Sequence, residues 1–360
     1  MPFFFLAKDK VDAWAARLAE EYSVYFPARI ENQVHFHKFN LTDEANRAAR
    51  PAWALEGIRA VEPVKAFLFA ARETVASFPN QDRVPEKQRK QIIIGAKNCD
   101  LMPLRVHQKV FLEREFVDPC YKQRLSETVI VSADCPKPES SCLCNLLGLS
   151  PYAEAGSDLN LSALEDGYLL EPLSVVGRDL VFGRDKPFRP ATDVEVDARD
   201  RFRREAVAKL KEINPRPWRK DLPDAIEQKK DEKFWRDAAR DCVECYGCLT
   251  TCPTCFCYLL YDQKNGGVEK PQAAGRKPQA EPVQAFDRVK VWDACYYQGY
   301  ARVGGGANVR PKLWERFRNR FHCKWMNCCR DWEFHSCSGC GRCSQVCMGK
   351  IDIRGVLGVL

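Results

Sequence analysis

Eight cysteines in the C-terminal third of the chain fall into two runs, Cys242-x-x-Cys245-x-x-Cys248-x-x-x-Cys252-Pro253 and Cys337-x-x-Cys340-x-x-Cys343-x-x-x-Cys347. Thiolates two residues apart wrap three corners of a 4Fe-4S cube, and in two-cluster ferredoxins the fourth cysteine of each run ligates the other cube. The spacing therefore predicts Cys242, Cys245, Cys248 and Cys347 around a first cluster, and Cys252, Cys337, Cys340 and Cys343 around a second. Zinc or a degenerate site is the alternative, disfavoured because zinc knuckles need only paired Cys-x-x-Cys elements. Pro253 is expected to turn the chain away after the last ligand of the first run. Met348 replaces the corresponding proline of the second run and is expected to shield its cube as an apolar cover.

A chain of 360 residues, 45% of them apolar, buries more core than a bare ferredoxin and points to two domains. The 19 cysteines are sparser than in small disulfide scaffolds and fall in metal-ligand spacings, so a reducing cytoplasm is expected. The opening apolar stretch breaks at Lys8-Asp9-Lys10, unlike a signal peptide, and no segment has the apolar length of a bilayer span. The net charge of +7 is dispersed; its most basic part, Arg199 to Lys233, alternates with acids and reads as a solvated helical face. A modest positive field suits docking of an acidic partner, and no nucleic-acid motif is present.

Between Lys8 and Ser23, Val11, Trp14, Ala15, Leu18 and Ala19 recur at helical spacing. Val34–Phe39, Gln91–Gly95 and Thr128–Ser132 read as strands, and helices resume over Asp197–Lys211 and Pro223–Arg240. The expected fold is α+β: an N-terminal α/β domain over residues 1–190, then a largely helical, two-cluster ferredoxin-like domain over 191–360. A long insertion separates the cluster motifs, with a Gly/Pro/Gln-rich mobile part near 263–285.

Two of the predicted strands lead to cysteines. Cys99 follows the first and Cys135 the second, with Cys142 and Cys144 close behind, all toward the sheet edge where α/β folds place their sites. Four thiols are what a third 4Fe-4S cluster needs. The alternative is buried free cysteines packing as small hydrophobes, and Cys120 is a less favoured substitute ligand. Cys255, Cys257, Cys295, Cys323, Cys328 and Cys329 then remain with Cys120. They read as packing and N–H···S partners near the clusters, with another metal site or redox-active thiols as the alternative. The adjacent pair Cys328-Cys329 is poor geometry for a disulfide and reads as structural. No dinucleotide or P-loop motif is found, Gly304-Gly305-Gly306 reads as a tight loop beside a cluster, and His35-x-His37 as one face of a strand.

Several further elements carry a family resemblance. They are Gly95-Ala96-Lys97-Asn98-Cys99-Asp100-Leu101, Cys142-Leu143-Cys144 with Gly148 and Pro151, Gly156-Ser157-Asp158-Leu159, Cys252-Pro253-Thr254-Cys255-Phe256-Cys257 and Gly304-Gly305-Gly306-Ala307-Asn308-Val309-Arg310. Together with both cluster motifs the chain resembles, over most of its length, the family of iron-sulfur subunits found in sulfhydrogenases, as their beta chain, and in anaerobic sulfite reductases. Asn98, Leu143, Met348 and the polar insert after Asp262 depart from that pattern without removing a ligand. The resemblance implies a non-catalytic electron-transfer subunit of a cytoplasmic, anaerobic hetero-oligomer, binding no flavin or nicotinamide itself. It would relay electrons between a flavin-containing partner and a catalytic hydrogenase, sulfite reductase or heterodisulfide-reductase-like subunit, with soluble ferredoxin as a further partner. The competing reading is a thiol/disulfide or sulfur-handling enzyme using Cys255, Cys257 and Cys295 beside a cluster.

Overall fold

The computed structural model describes residues 2–40, 51–79, 89–113, 115–182, 187–218, 220–264 and 285–360. Its main sheet has the order β3-β2-β5-β6-β7-β8-β1-β9. The strands are β1 (Phe4–Ala7), β2 (Ser23–Ile30), β3 (Gln33–Lys38), β5 (Gln91–Ala96), β6 (Thr128–Ala133), β7 (Leu159–Ala163), β8 (Gly167–Pro172) and β9 (Arg189–Pro190). The pairs β2–β5, β5–β6 and β6–β7 are parallel and the outer pairs antiparallel. A parallel centre is covered on both faces, and the continuous apolar runs Ile92-Ile93-Ile94 and Val129-Ile130-Val131 meet that demand, all six being buried. The helix Val11–Glu21 lays the five residues of its predicted apolar stripe, Val11, Trp14, Ala15, Leu18 and Ala19, into this core.

A second, three-stranded sheet joins β4 (Arg72–Phe78) to β11 (Phe286–Trp292) and β11 to β10 (Tyr258–Lys264), all antiparallel. The insertion after the first cysteine run thus forms a hairpin that borrows a strand from the N-terminal region. Lys290 in β11 is buried between Glu73 and Asp118, 2.6 Å from the Glu73 carboxylate. The insert's sequence-predicted mobile part lies outside the described residues except at its ends, Gln263 and Lys264 closing β10 and Ala285 just before β11.

Besides β10 and β11, the C-terminal region packs helices around Trp235, Phe317, Phe321 and Trp325. The pattern predicted over Pro223–Arg240 is two helices, Leu222–Gln228 and Glu232–Ala239, the second capped by the Asp231 carboxylate. The helix predicted over Asp197–Lys211 extends over Asp193–Ile213 behind a Thr192/Glu195 capping box. Its basic face is not solvated throughout: Arg199 is buried, and Arg203 turns inward to Asp134 at 2.8 Å and over the Tyr152 ring. Ion pairing offsets the desolvation of these guanidinium groups.

Candidate metal centres

Gly95, one residue before the end of β5, has a φ of +85° that no side chain would adopt cheaply, and the chain passes through Lys97 into the helix Asn98–Phe111. That places Cys99 in the helix's first turn, at the positive end of its dipole. Strand β6 delivers Cys135 beside it, as the parallel register requires. Asp134, just before Cys135, is held by Asn160 Nδ2 at 2.9 Å, Ser162 Oγ at 2.7 Å and Arg203 Nε at 2.8 Å. The loop after β6 then returns with Cys142 and Cys144, so that Cys99, Cys135, Cys142 and Cys144 line one cavity. Cys120 does not reach it. That thiol lies against Glu73 and Asp118, where the Lys290 ammonium already fills the acidic site.

A second cavity is lined by Cys252, Cys337, Cys340 and Cys343, together with Pro253, Arg320 and Lys324. The four thiols are those that crossed ligation predicts for one cube. Cys242, Cys245 and Cys347 lie close enough that the charges of Cys347 and Cys245 act on the Cys242 thiol, and Cys248 senses Cys242. The backbone N–H of Ile351 donates to Cys347 Sγ at 3.3 Å. Met348, by contrast, is 74% exposed and covers nothing. The turn after Cys347 is made instead by Lys350, at a φ of +54°, so the expectation of an apolar shield there is corrected.

The two cavities share a wall. Gly339 and Cys340 line both. Gly339 O accepts from Leu143 N at 2.9 Å, and a Cβ on Gly339 would stand 2.5 Å from Cys144 Cα; at Gly341 it would stand 2.1 Å from Ser141 O. Only glycine lets the second cysteine run pack so closely on the Cys142–Cys144 loop. Arg342 closes the joint, pairing with buried Asp100 at 2.7 Å and donating to Ala60 O at 3.0 Å.

Both cavities suit an anionic sulfur-rich group. Arg59 Nε and Nη1 in the first, and Arg320 Nε and Ser338 Oγ in the second, are buried donors with no acceptor among the described residues. Such donors are costly unless something in the cavity accepts from them, and a thiolate-ligated iron-sulfur cluster supplies sulfur acceptors. Burial pushes the thiols up, Cys135 to about 11, Cys144 and Cys337 to about 12 and Cys248 to about 11, so free thiols here would stay protonated until a metal displaces the proton. The cationic surroundings, buried Lys97, Lys324 and Arg342, favour negative charge. His107 is fully buried beside the second cavity; burial first, then the Lys65 charge, hold it at about 3 and therefore neutral.

The remaining sequence candidates are placed as follows. His35 bonds to Glu62 at 2.5 Å, a structural role. Gly304, Gly305 and Gly306 form an exposed turn, closed by Gly306 N donating to Val303 O at 2.8 Å. Asp158 bridges β6 and the helix Val175–Val181, accepting from Ile130 N at 3.0 Å and Ser174 Oγ at 2.7 Å. The roles of Arg59, Arg320 and Lys324 were not legible in the sequence, because nothing local distinguishes them from surface basic residues.

Comparison with known proteins supports this chemistry. Residues 241–351 match the family model of a 4Fe-4S dicluster domain. The chain is 29% identical over 345 residues to sulfhydrogenase 2 subunit beta of Pyrococcus furiosus, an alignment covering 95% of this chain and 93% of that protein. The dicluster match supports two 4Fe-4S clusters, and the similarity along the chain supports an iron-sulfur, electron-transfer subunit of an oxidoreductase.

Proposed function

We propose, for this iron-sulfur subunit of the family that includes sulfhydrogenase beta subunits, that it carries electrons through three 4Fe-4S clusters in line. Cys242, Cys245, Cys248 and Cys347 hold the first; Cys252, Cys337, Cys340 and Cys343 the second; Cys99, Cys135, Cys142 and Cys144 the third. A 4Fe-4S cluster supplies a one-electron carrier whose potential its surroundings set. The protein's part is to ligate, to hold adjacent sites in contact and to exclude water. Crossed ligation couples the first two sites through the backbone, since each cysteine run serves both. The observation that carries the reading is the shared wall of Gly339 and Cys340 between the second and third cavities.

Within a complex, the chain passes electrons between a flavin-containing partner and a catalytic redox subunit in a reducing cytoplasm. Among the described residues no helix is long and apolar enough to cross a membrane. The sequence carries no nucleotide motif of its own, which fits a relay. The test is iron and acid-labile sulfide per chain after anaerobic purification, with low-temperature EPR of the reduced protein. The Cys99→Ser/Cys142→Ser variant is expected to lose about four irons and one cubane signal while keeping the other two. Equal iron in both proteins overturns the third cluster. Substrate turnover by the isolated chain overturns the relay.

A further inference from the structure

Two pairs of thiols outside the three proposed clusters are brought together by backbone features with no other evident purpose. The first pair flanks the inserted hairpin. Register sets Tyr258 opposite Trp292, and Asp293 N donates to Cys257 O at 2.9 Å, so Cys257 before β10 and Cys295 after β11 meet at the ladder's end. Their thiols come within hydrogen-bonding reach, and Tyr300 Oη donates to Cys257 Sγ at 3.4 Å. The second pair depends on a π-helical turn, His322–Asn327. Residues five apart lie about 140° apart around an α-helix and do not meet. The wider π-turn brings Cys323 against Cys328, again within hydrogen-bonding reach. Such turns are rare and recur at functional sites.

The two pairs are near neighbours. The charge of Cys295 acts on Cys323, and the Lys324 ammonium acts on all four thiols. Lys324 is 4% exposed and, among the described residues, bonds only to Thr254 Oγ1 at 2.7 Å and Ser336 O at 3.4 Å and has no carboxylate partner. This buried ammonium also lines the second cavity, and negative charge at either site stabilises it.

We propose that Cys257, Cys295, Cys323 and Cys328 ligate a further iron-sulfur cluster of the [2Fe-2S] type. Two thiolates per iron fit two pairs, and the pairs are set apart from each other. A single zinc ion is a poorer fit. It needs four sulfurs about 3.8 Å apart, and among the described residues no three of these lie within 4.8 Å of one another. Cys329, adjacent to Cys328, stays outside the site.

The experiment compares the anaerobically purified full chain with Cys295→Ser/Cys323→Ser, one ligand removed from each pair, and with Cys329→Ser. Iron and sulfide are counted and the parent is examined by Mössbauer spectroscopy. Expected are a [2Fe-2S] component in the parent and a loss of about two irons and two sulfides in the double variant. Cys329→Ser should lose none, and the cubane EPR signals should stay unchanged. A parent spectrum of cubane iron only overturns the proposal even if the double variant fails to fold. So does an unchanged iron count, or a loss of four. These readouts do not depend on whether the third cubane exists, because that site is tested by different cysteines.

Discussion

The two cysteine-lined cavities are built by opposite means. In the C-terminal one, the thiols come from two short runs whose spacing alone suits a cube, so local loop geometry does most of the work. In the sheet-edge one, Cys99 and Cys135 come from the ends of adjacent parallel strands, and only the register of β5 on β6 sets them side by side. Cys142 and Cys144 arrive on a loop fastened by Gly339 and Asn214, whose Nδ2 donates to Cys142 O at 2.9 Å. A site of the first kind depends mainly on its own loops. A site of the second kind exists only while the whole sheet is folded, so its occupancy reports on fold integrity as well as on ligation.

Cys340→Ser should have the largest effect. It removes a proposed ligand of the second site and a wall residue of the proposed third, so about four irons are expected to go, with the EPR signal of the proposed third cubane altered. Loss of four irons with that signal untouched would break the coupling between the two regions. Arg342→Met comes next. It leaves Asp100, 1% exposed on its side chain, as an uncompensated buried charge where the regions meet. A destabilisation of about 3–5 kcal/mol is expected in anaerobic denaturant unfolding. A value near zero would mean that the joint contributes nothing to stability. Gly339→Ala follows: its φ of +63° and the approach to Cys144 predict a cost of about 1–3 kcal/mol, falling mainly on the third site's iron.

What could be read beforehand follows the same division. The eight spaced cysteines, the apolar stripe from Val11 to Ala19 and the strands leading to Cys99 and Cys135 are local or periodic patterns. The pairing of β4 with β11 is not, since it joins segments some two hundred residues apart and rests on Lys290 finding Glu73 and Asp118. Arg199 and Arg203 sit in a mixed-charge helix that looks solvated until the sheet presents Asp134. Met348 sits at a proline position whose turn is made by Lys350 instead, and Cys323 and Cys328 meet only because the helix widens to a π-turn. Each of these depends on a tertiary partner or a backbone irregularity that composition does not encode.

The smallest effect is expected where neither cavity is involved, at the start of the helix that carries Arg203. Thr192→Ala removes a capping-box hydroxyl and should cost about 1 kcal/mol, with the iron count of every site unchanged. Its partner Glu195 is held down to about 2, first by Arg189 and then by the Thr192 backbone and hydroxyl. A depressed carboxylate stabilises the fold above its unfolded value, near 4.5, and loses that contribution as pH falls toward about 2. Glu195→Gln should therefore flatten the acid limb of the stability curve across that window, measured by unfolding at fixed ionic strength, and leave stability above pH 5 lowered but parallel to the parent. If the variant instead lost iron from the sheet-edge site at neutral pH, the helix would be positioning Arg203 on Asp134 and Cys135 more tightly than its exposed start suggests, and the third site would extend its dependence on the fold to this distant cap.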